Sequence, residues 1–436
     1  MVGRWAWTAS YSGNIQQLTN AGRVAKWPVV TGLGALVCAG AVGLLALAGC
    51  TPESRRLTGD GGRIQRFPPQ HSQTPEPEPA PPDPRTVWPP KAIWVVRHAW
   101  SSPEQIAGLM EQCQAAGFNT VLFQVRGNGT AFYRSRIEPL AEEYRGRDPG
   151  FDPLEVACRE AHRRGMALHA WVNVMPAWKG KEPPRSPEHL WYTHPEWFWY
   201  DRNGRRQPLG DWYVSLNPCL PEVRRYLVEV LQEIVCNYRV DGLHLDYVRF
   251  PTDEGPRVDY PHDARTLALF KAATGKTPAQ DRAAWSRWRT AQVTQVVRDA
   301  RAMTRRVRPE LKLTAACWAD IQAARRDYFQ DGPAWVNAGL VDLVFVMNYT
   351  ANTTVYRQRQ EAWRRAVTPR PVAAGVGAYM HRGPATTLEQ IRAARAWGGG
   401  VAVFSDQFLF ANPQRASEWT AVLRGALLSP QPGPGR

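Results

Sequence analysis

The chain reads DGLHLDYVRFP from Asp241 to Pro251, and the part from Gly242 to Tyr247 has the character of a buried β-strand. Its apolar residues run almost without interruption, which is typical of a parallel strand that is covered on both faces. Residues with helical spacing precede it at Glu222–Tyr238 and follow it at Ala283–Val307. This succession of helix, strand and helix is the repeating unit of an α/β protein.

The same alternation continues on both sides of this strand. Eight segments have the pattern of buried strands, and each is followed by residues with helical spacing. The strand segments are Ala92–Val96, Thr120–Val125, Ala167–Val172, Gly242–Tyr247, Lys312–Trp318, Leu343–Asn348, Val372–Val376 and Val401–Phe404. Eight strand–helix repeats in about 340 residues predict a closed (β/α)8 TIM barrel rather than an open doubly wound sheet. No Gly-x-Gly-x-x-Gly pattern follows the first strand, which argues against a dinucleotide-binding fold.

The N-terminal region has the features of an export signal. Arg23 and Lys26 precede an apolar run from Val29 to Leu47, and the run ends in Leu47-Ala48-Gly49-Cys50. A basic flank, an apolar run and small residues are the parts of a secretory signal, and the last four residues resemble the bacterial lipobox. This resemblance implies that Cys50 is lipidated and becomes the first residue of the mature protein. The apolar run is almost long enough to span a bilayer, so an uncleaved membrane anchor is the alternative.

The chain is therefore predicted to have four parts. They are a signal peptide with a lipobox (1–49), a disordered Pro-rich tether (50–88), the barrel (89–427) and a disordered tail (428–436). Proline lacks a backbone donor, so the tether is expected to be extended and to hold the barrel away from the membrane. Thr51 stands where lipoproteins retained in the inner membrane usually have Asp. By the same resemblance, we expect an outer-membrane lipoprotein that faces the periplasm if the cell is Gram-negative.

Composition narrows the possible partners. The net charge of +15 comes mostly from Arg spread through the chain, without a zinc-finger spacing, an RNA-binding signature or an isolated basic helix, so no nucleic-acid partner is predicted. The 19 Trp favour a carbohydrate site, since indole rings offer flat apolar faces to sugars, although core packing accounts for many of them. Of seven Cys, Cys38 lies in the signal and Cys50 is the lipidation site, and the other five lack CxxC or zinc-like spacing. No metal or cofactor is predicted.

The strand at Gly242–Tyr247 supplies the main catalytic candidate. Side chains alternate along a strand, so if Gly242 and His244 point into the barrel, Asp246 does so too, at the C-terminal mouth where barrel enzymes build their sites. A carboxylate there can act as a nucleophile or a base in glycosidic cleavage. Arg249 is a candidate cation to keep it ionised, and the alternative is an Asp–Arg pair that only fixes the loop. Asp241 begins the strand at the opposite face, where a structural role is expected.

Other strand ends supply polar and aromatic groups around the same mouth. Hydroxyl-rich ligands require several fixed donors and acceptors, so these groups are candidate substrate contacts. The candidates are Gln124, Arg126, Trp171, Asn173, His244, Arg249, Trp318, Asn348 and Tyr349.

Glycoside hydrolysis usually needs a second carboxyl group that is protonated. The two carboxyls lie about 5–5.5 Å apart in retaining enzymes and about 6.5–9.5 Å apart in inverting ones. Asp320, which follows the next predicted strand, is the first candidate for the acid, and Asp406 is the second.

Two connections at the mouth are unusually long. They run from Pro176 to Leu220 and from Arg249 to about Arg282, and long loops at this end of a barrel often form the walls of a substrate cleft. The first contains Trp178, Trp191, Trp197, Trp199 and Trp212. We expect at least one of these rings to stack on a sugar, and the alternative is that all of them pack internally.

Several motifs resemble one known family. They are Gly117-Phe118-Asn119-Thr120-Val121 leading into Gln124-Val125-Arg126, then Ala170-Trp171-Val172-Asn173, then Asp241–Pro251, and then Val341-Asp342 leading to Met347-Asn348-Tyr349-Thr350. Over about Lys91 to Leu427 the chain is similar to the glycosyl-hydrolase-like family 10 group of lipoproteins, formerly a domain of unknown function. The resemblance implies a TIM barrel that hydrolyses glycosidic bonds. For bacterial envelope members it also implies peptidoglycan glycan strands as the substrate.

Two other functions are considered. One is a carbohydrate-binding barrel without catalysis that acts as an envelope scaffold. The other is a polysaccharide deacetylase, which requires a His/Asp metal cluster, and the histidines of this chain are not spaced to provide one.

Overall fold

A computed structural model describes residues 80–82, 87–250, 258–367 and 372–429. The predicted signal peptide with Cys50 lies outside the described residues, as do most of the predicted tether and the tail from residue 430 onward. In the part of the chain that is described, no helix is both long and apolar enough to cross a membrane.

The architecture is a closed barrel of eight parallel strands surrounded by helices, which confirms the predicted TIM barrel. In chain order, the strands of the described residues are β1 (Lys91–Val95), β2 (Thr120–Arg126), β3 (Ala167–Asn173), β4 (Pro176–Gly180), β5 (Gly210–Ser215), β6 (Gly242–Asp246), β7 (Lys312–Trp318), β8 (Leu343–Met347), β9 (Val372–Gly377) and β10 (Val401–Phe404). β4 and β5 form a separate antiparallel hairpin. The other strands close the barrel in the order β1-β2-β3-β6-β7-β8-β9-β10, with β10 paired to β1.

Helices cover the outside of this barrel. In chain order, those of the described residues are α1 (Pro103–Ala115), α2 (Pro153–Arg163), α3 (Leu190–Thr193), α4 (Pro221–Asn237), α5 (Ala264–Thr274), α6 (Arg282–Val307), α7 (Ile321–Asp327), α8 (Gly332–Asn337), α9 (Thr353–Ala366), α10 (Pro384–Ala396), α11 (Asp406–Leu409) and α12 (Pro413–Leu428). Proline begins α1, α2, α4 and α12, where its fixed φ suits the first turn and its missing N–H costs no hydrogen bond.

Side chains of the barrel strands alternate between two apolar clusters. On β1, Ile93 packs outward against the helices, while Ala92 and Trp94 point into the barrel. The Trp94 ring lies 5.9 Å from the rings of both Phe345 and Phe404, measured between centroids. Aromatic rings therefore fill the barrel interior, which makes it a packed core and leaves chemistry to the strand ends.

The long connection after β3 contains a structure that the sequence did not predict. The hairpin of β4 and β5 pairs Lys179 with Tyr213 and Trp178 with Val214. Trp178 and Val214 pack into the core. Because the two strands are far apart in sequence and enclose α3, no short turn motif marks them as partners.

Asp241 lies at the N-terminal end of β6 and has a structural role there. Its Oδ2 accepts a hydrogen bond from the backbone N–H of Leu168 at 2.8 Å and lies 2.9 Å from Nε2 of His162. The carboxylate thus ties β3 and α2 together at the end of the barrel that lies opposite the mouth.

Candidate active site

Asp246 is the last residue of β6, and it points into the barrel mouth as strand parity predicted. It pairs in register with Asn173 at the end of β3. Its Oδ1 accepts the backbone N–H of Tyr247 at 2.6 Å and Nη1 of Arg249 at 2.9 Å. Both bonds go to Oδ1, and within the described part of the chain Oδ2 accepts no hydrogen bond. One carboxylate oxygen is therefore held in place while the other remains for chemistry.

The backbone turn after β6 creates this arrangement. Tyr247 has a φ of +50°, in the left-handed region that residues with a Cβ rarely adopt. This turn brings Arg249 back beneath the strand end, where its guanidinium carbon lies 4.0 Å from the centroid of the Tyr247 ring. Strained backbone of this kind often occurs at functional sites.

Arg249 acts as the counter-ion of Asp246. Its contact with substrate stays a prediction, because 1% of its surface is exposed, the same fraction as for Asn173. Burial in a medium of low polarity strengthens its attraction to the carboxylate, so Arg249 fixes the orientation of the Asp246 side chain.

A row of amide, guanidinium and phenol groups extends from Asp246 around the mouth. Asn173 donates through Nδ2 to the carbonyl of Gly127 at 3.2 Å and to the Tyr213 hydroxyl at 3.4 Å. Gln124 accepts through Oε1 from the backbone N–H of Arg97 at 3.2 Å and from its Nη1 at 3.3 Å. Within the described residues, Oδ1 of the buried Asn173 has no hydrogen-bond partner. These groups can bind the hydroxyls of a sugar.

Arg97 and Tyr213 are functional candidates that the sequence reasoning missed. Arg97 follows β1, so the rule that strand ends face the site could have found it. Its guanidinium packs over Gly127, where an added Cβ would lie 2.4 Å from Cζ and would displace the Arg97 side chain. Tyr213 belongs to the hairpin, as does Lys179, whose Nζ lies 4.9 Å from the Tyr213 ring centroid. No signal in the sequence could have placed either at the mouth.

Arg126 does not face the mouth, which corrects its prediction as a substrate contact. A β-bulge shifts the register of β2 after Gln124, so that Arg126 pairs with Val172, whose side chain belongs to the outer core. Neither Arg126 nor Glu138 exposes any of its side chain, and their ion pair measures 2.7 Å. Arg126 also donates to the carbonyls of Val174 and Pro176 at 3.1 and 3.0 Å. It is a structural residue that holds the chain after β3.

His244 points inward and is fully buried, and burial at this depth argues against its predicted contact with substrate. Its Nε2 accepts from Trp94 Nε1 at 3.1 Å, and its Nδ1 lies 3.0 Å from Oγ1 of Thr314. The Thr314 hydroxyl donates to the Leu243 carbonyl, so the imidazole carries its proton on Nδ1 and is neutral. Burial holds the pKa of His244 well below its ordinary range, and nearby His169 adds to this.

Asn348 is likewise a structural residue rather than a substrate contact. It is fully buried, and its Nδ2 donates to the carbonyl of Tyr356 in α9 at 2.8 Å. Its neighbour Tyr349 does face the mouth, with its ring 5.4 Å from that of Phe404. Both residues were candidates because they follow a strand end, but consecutive residues of an extended chain point in opposite directions.

The remaining aromatic candidates differ in depth. Trp171 is buried in the interior cluster, with its ring 6.5 Å from those of His244 and Phe404. Trp318, at the end of β7, is partly exposed and stacks on Tyr328 at 4.5 Å with an interplanar angle of 10°. Trp318 is thus the better placed of the two to contact a sugar.

The Trp-rich loop after β3 is mostly packed. Trp178 and Trp199 are buried, and Trp191 and Trp197 pack against the core. Trp212, which precedes Tyr213 on β5, is partly exposed and lies outside the apolar core.

The two candidate acids have different environments. Asp320 is exposed and caps α7, with its side chain accepting the backbone N–H of Ala323 at 2.9 Å. Asp406 is 2% exposed, and its Oδ1 accepts the backbone N–H of Val96 at 3.0 Å. Burial raises the pKa of Asp406 to about 7, against the opposing effect of backbone N–H groups.

The buried carboxyl of Asp406 makes stability depend on pH. The pKa of this carboxyl is higher in the folded protein than in the unfolded chain. Its contribution to the free energy of unfolding is therefore fully present below about pH 4. As the pH rises to about 7, that contribution is lost, and the free energy of unfolding falls by roughly 4 kcal/mol at most. Asp406→Asn removes this loss. We expect the free energy of unfolding of the variant, relative to that of the unchanged protein, to increase from pH 4 to pH 7 and then level off. A difference that does not vary with pH in denaturant titrations contradicts this assignment.

The described residues contain no group of three or more His, Cys, Asp or Glu side chains placed to hold a metal ion. Their cysteines, Cys113, Cys158, Cys219, Cys236 and Cys317, form no disulfide.

The barrel and its carboxylate at the end of β6 are features of glycoside hydrolases, and comparison with known proteins gives the family. The chain belongs to the family described as Glycosyl hydrolase-like 10, whose model matches residues 85–390. It is therefore a glycoside hydrolase, and this favours the enzyme over the non-catalytic scaffold.

Named relatives agree with this class. The chain is 25% identical over 332 residues to Glycosyl hydrolase DigH of Escherichia coli strain K12, covering 68% of this chain and 71% of that protein. It is 24% identical over 327 residues to Glycosyl hydrolase YngK of Bacillus subtilis strain 168, covering 68% of this chain and 61% of that protein.

Among solved structures, the barrel is similar to the PgaB (BpsB) glycoside hydrolase domain from Bordetella bronchiseptica, with a TM-score of 0.54 and 16% identity. The match covers 77% of this chain and 98% of that one. At this identity the likeness concerns the fold alone.

Proposed function

We propose that this protein cleaves the glycan strands of peptidoglycan from a lipid anchor at Cys50, with Asp246 as the ionised carboxylate. The position of Asp246 carries the chemical part of the proposal: Oδ1 is fixed by Tyr247 and Arg249, while Oδ2 is available at the mouth. The family supports glycosidic bonds as the target. The lipobox-like end of the apolar run supports an envelope location, and peptidoglycan is the polysaccharide implied for envelope members by the family resemblance.

The reaction requires two carboxyl groups and water, and it needs no cofactor. Asp246 either attacks the anomeric carbon or removes a proton from the attacking water. The bond between the anomeric carbon and the leaving oxygen breaks, and that oxygen takes a proton from the acid. Water supplies the hydroxyl of the new reducing end. Asn173, with Gln124 and Arg97 behind it, fixes the sugar hydroxyls.

We assign the acid to Asp320. A general acid must come within hydrogen-bond reach of the leaving oxygen, and Asp320 is exposed near Trp318 whereas Asp406 is enclosed. Asp320→Asn should therefore lower hydrolysis strongly on natural glycans and less on substrates whose leaving group needs no proton. Under this assignment Asp406→Asn changes stability more than turnover.

Purified sacculi and denuded glycan strands test the substrate directly. The expected result is the release of sugar fragments by the full chain and none by Asp246→Asn, with both reactions analysed by mass spectrometry. Binding without release by the unchanged protein would select the scaffold function instead. Release of sugar fragments only from other polysaccharides would support the hydrolase activity and reject peptidoglycan as the substrate.

Trp212 is the loop tryptophan that lies outside the apolar core, and we expect it to contact sugar from the face of β5 opposite to that of Tyr213. Stacking on an indole face hides apolar area worth about 1–2 kcal/mol at roughly 25 cal/mol per Å2, so Trp212→Ala should weaken glycan binding about 5- to 30-fold with little change in melting temperature. Trp199→Ala is the matched control, because its buried ring should cost about 3–5 kcal/mol of stability. Normal glycan binding by folded Trp212→Ala would mean that this ring only packs.

Cys50 provides the test of anchoring. Cys50→Ser removes the thiol that would receive lipid, so the variant should incorporate no radiolabelled lipid and should remain uncleaved or mislocalised. Continued incorporation of label by Cys50→Ser would reject the lipoprotein assignment.

A further inference from the structure

Exposed basic side chains gather at the end of the barrel that lies opposite the mouth. In a TIM barrel the helices run back from the mouth, so their last turns lie at this end. The basic end is defined by Arg239, Arg305, Arg306, Lys312, Arg364 and Arg365, all of them exposed. Contacts between neighbouring elements agree with this placement, because Arg306 donates to Gln232 near the end of α4.

Capping of helix ends explains only some of the basic residues here. Arg308 donates to the carbonyls of Tyr238 and Val240, and Arg395 donates to that of Ser429, so these guanidiniums complete helix termini. Arg364 and Arg365 instead keep 65% and 77% of their side chains exposed.

Acidic residues do not balance the basic end. Glu310 pairs with Arg308, and a single Glu361 is shared by Arg364 and Arg365. Asp241 and Asp342 are only partly exposed, and they accept backbone N–H groups of the strands and pair with His162 and Arg301, respectively. A basic excess therefore faces solvent, and a surface of this kind attracts anionic partners.

The chain also enters the barrel at this end. β1 begins at Lys91, and Lys312 of the basic end lies 5.9 Å from the ring centroid of Trp88. About forty residues separate Cys50 from Lys91, and an extended chain spans at most about 3.3–3.6 Å per residue. A lipid at Cys50 would bring this end near a membrane without fixing the barrel against it.

We propose that the basic end docks on the anionic phospholipid headgroups of the membrane that holds the anchor, so that the mouth faces away from the bilayer. Lys and Arg near an anionic leaflet are attracted over about one Debye length, which is about 8–10 Å at moderate ionic strength. The inference rests on the anchoring in the proposed function. Docking presents the mouth to glycan strands beyond the membrane.

Neutron reflectometry of the full chain, reconstituted in supported bilayers, measures this orientation. On bilayers of phosphatidylcholine with phosphatidylglycerol, the protein layer should adjoin the headgroups. On phosphatidylcholine alone, or after raising the salt to about 1 M, where the Debye length falls to about 3 Å, a water-rich gap should open. The combined changes Arg305→Gln, Arg306→Gln, Arg364→Gln and Arg365→Gln should open the same gap on the anionic bilayer.

The matched control removes four charges from the mouth side, by changing Arg202 and Lys276 in the two long connections and Arg282 and Arg287 in the first two turns of α6 to Gln, and it should leave the layer in place. If the protein layer stays on both bilayers at the same distance from the headgroups, whatever the salt concentration, docking is overturned and anchoring is kept. Retention on the anionic bilayer alone supports docking and rejects the anchor. Loss from both bilayers rejects both.

Discussion

Asp246→Asn is expected to lower glycoside hydrolysis by several powers of ten. The amide keeps the size of the side chain and can still accept hydrogen bonds from Tyr247 and Arg249, but it lacks the charge that attacks carbon or activates water. Glycan binding should persist, because Asn173 and the groups beside it make the ground-state contacts. Initial rates on denuded glycan strands and equilibrium binding to the same strands measure the two effects separately.

The burial of Arg249 adds a second expectation for this variant. Removing one partner of a buried ion pair costs about 3–5 kcal/mol, because the other charge is left uncompensated. Asp246→Asn should therefore also lower the melting temperature, and the double variant Asp246→Asn, Arg249→Met should recover stability without recovering activity. Asp241→Asn is the control at the other end of the barrel and should reduce stability more than turnover. Near-normal hydrolysis by folded Asp246→Asn would reject the mechanism.

Arg126→Met is expected to lower the free energy of unfolding strongly. It leaves the carboxylate of Glu138 buried without its cation, a change worth about 3–5 kcal/mol, and it frees the carbonyls of Val174 and Pro176 after β3. Tyr226 would still donate to Glu138, which is insufficient for a buried charge. Denaturant titration measures the loss.

A double variant distinguishes charge burial from packing at this site. Arg126→Met with Glu138→Leu removes both charges and should recover part of the stability, since replacing a whole buried ion pair by apolar groups is often neutral. If Arg126→Met instead weakens glycan binding while stability stays unchanged, the original interpretation of Arg126 as a substrate contact was right.

The sequence by itself determined the barrel and the place of its main carboxylate. The eight barrel strands lie within a residue of their predicted ends, because buried parallel strands carry a continuous apolar pattern that is local to each segment. Asp246 and Arg249 could be paired from the same stretch, since only two residues separate them and one turn brings them together.

Only the tertiary structure decided how the rest of the mouth is built. A bulge in β2 turned Arg126 outward, and a one-residue shift of this kind reverses which face a side chain occupies without changing the local pattern. Tyr213 reaches Asn173 from a hairpin whose strands are distant in sequence. The depth that makes His244 a neutral core residue and raises the pKa of Asp406 comes from packing by many other elements. Burial and register depend on contacts between distant segments, so the periodicity of a single segment cannot reveal them.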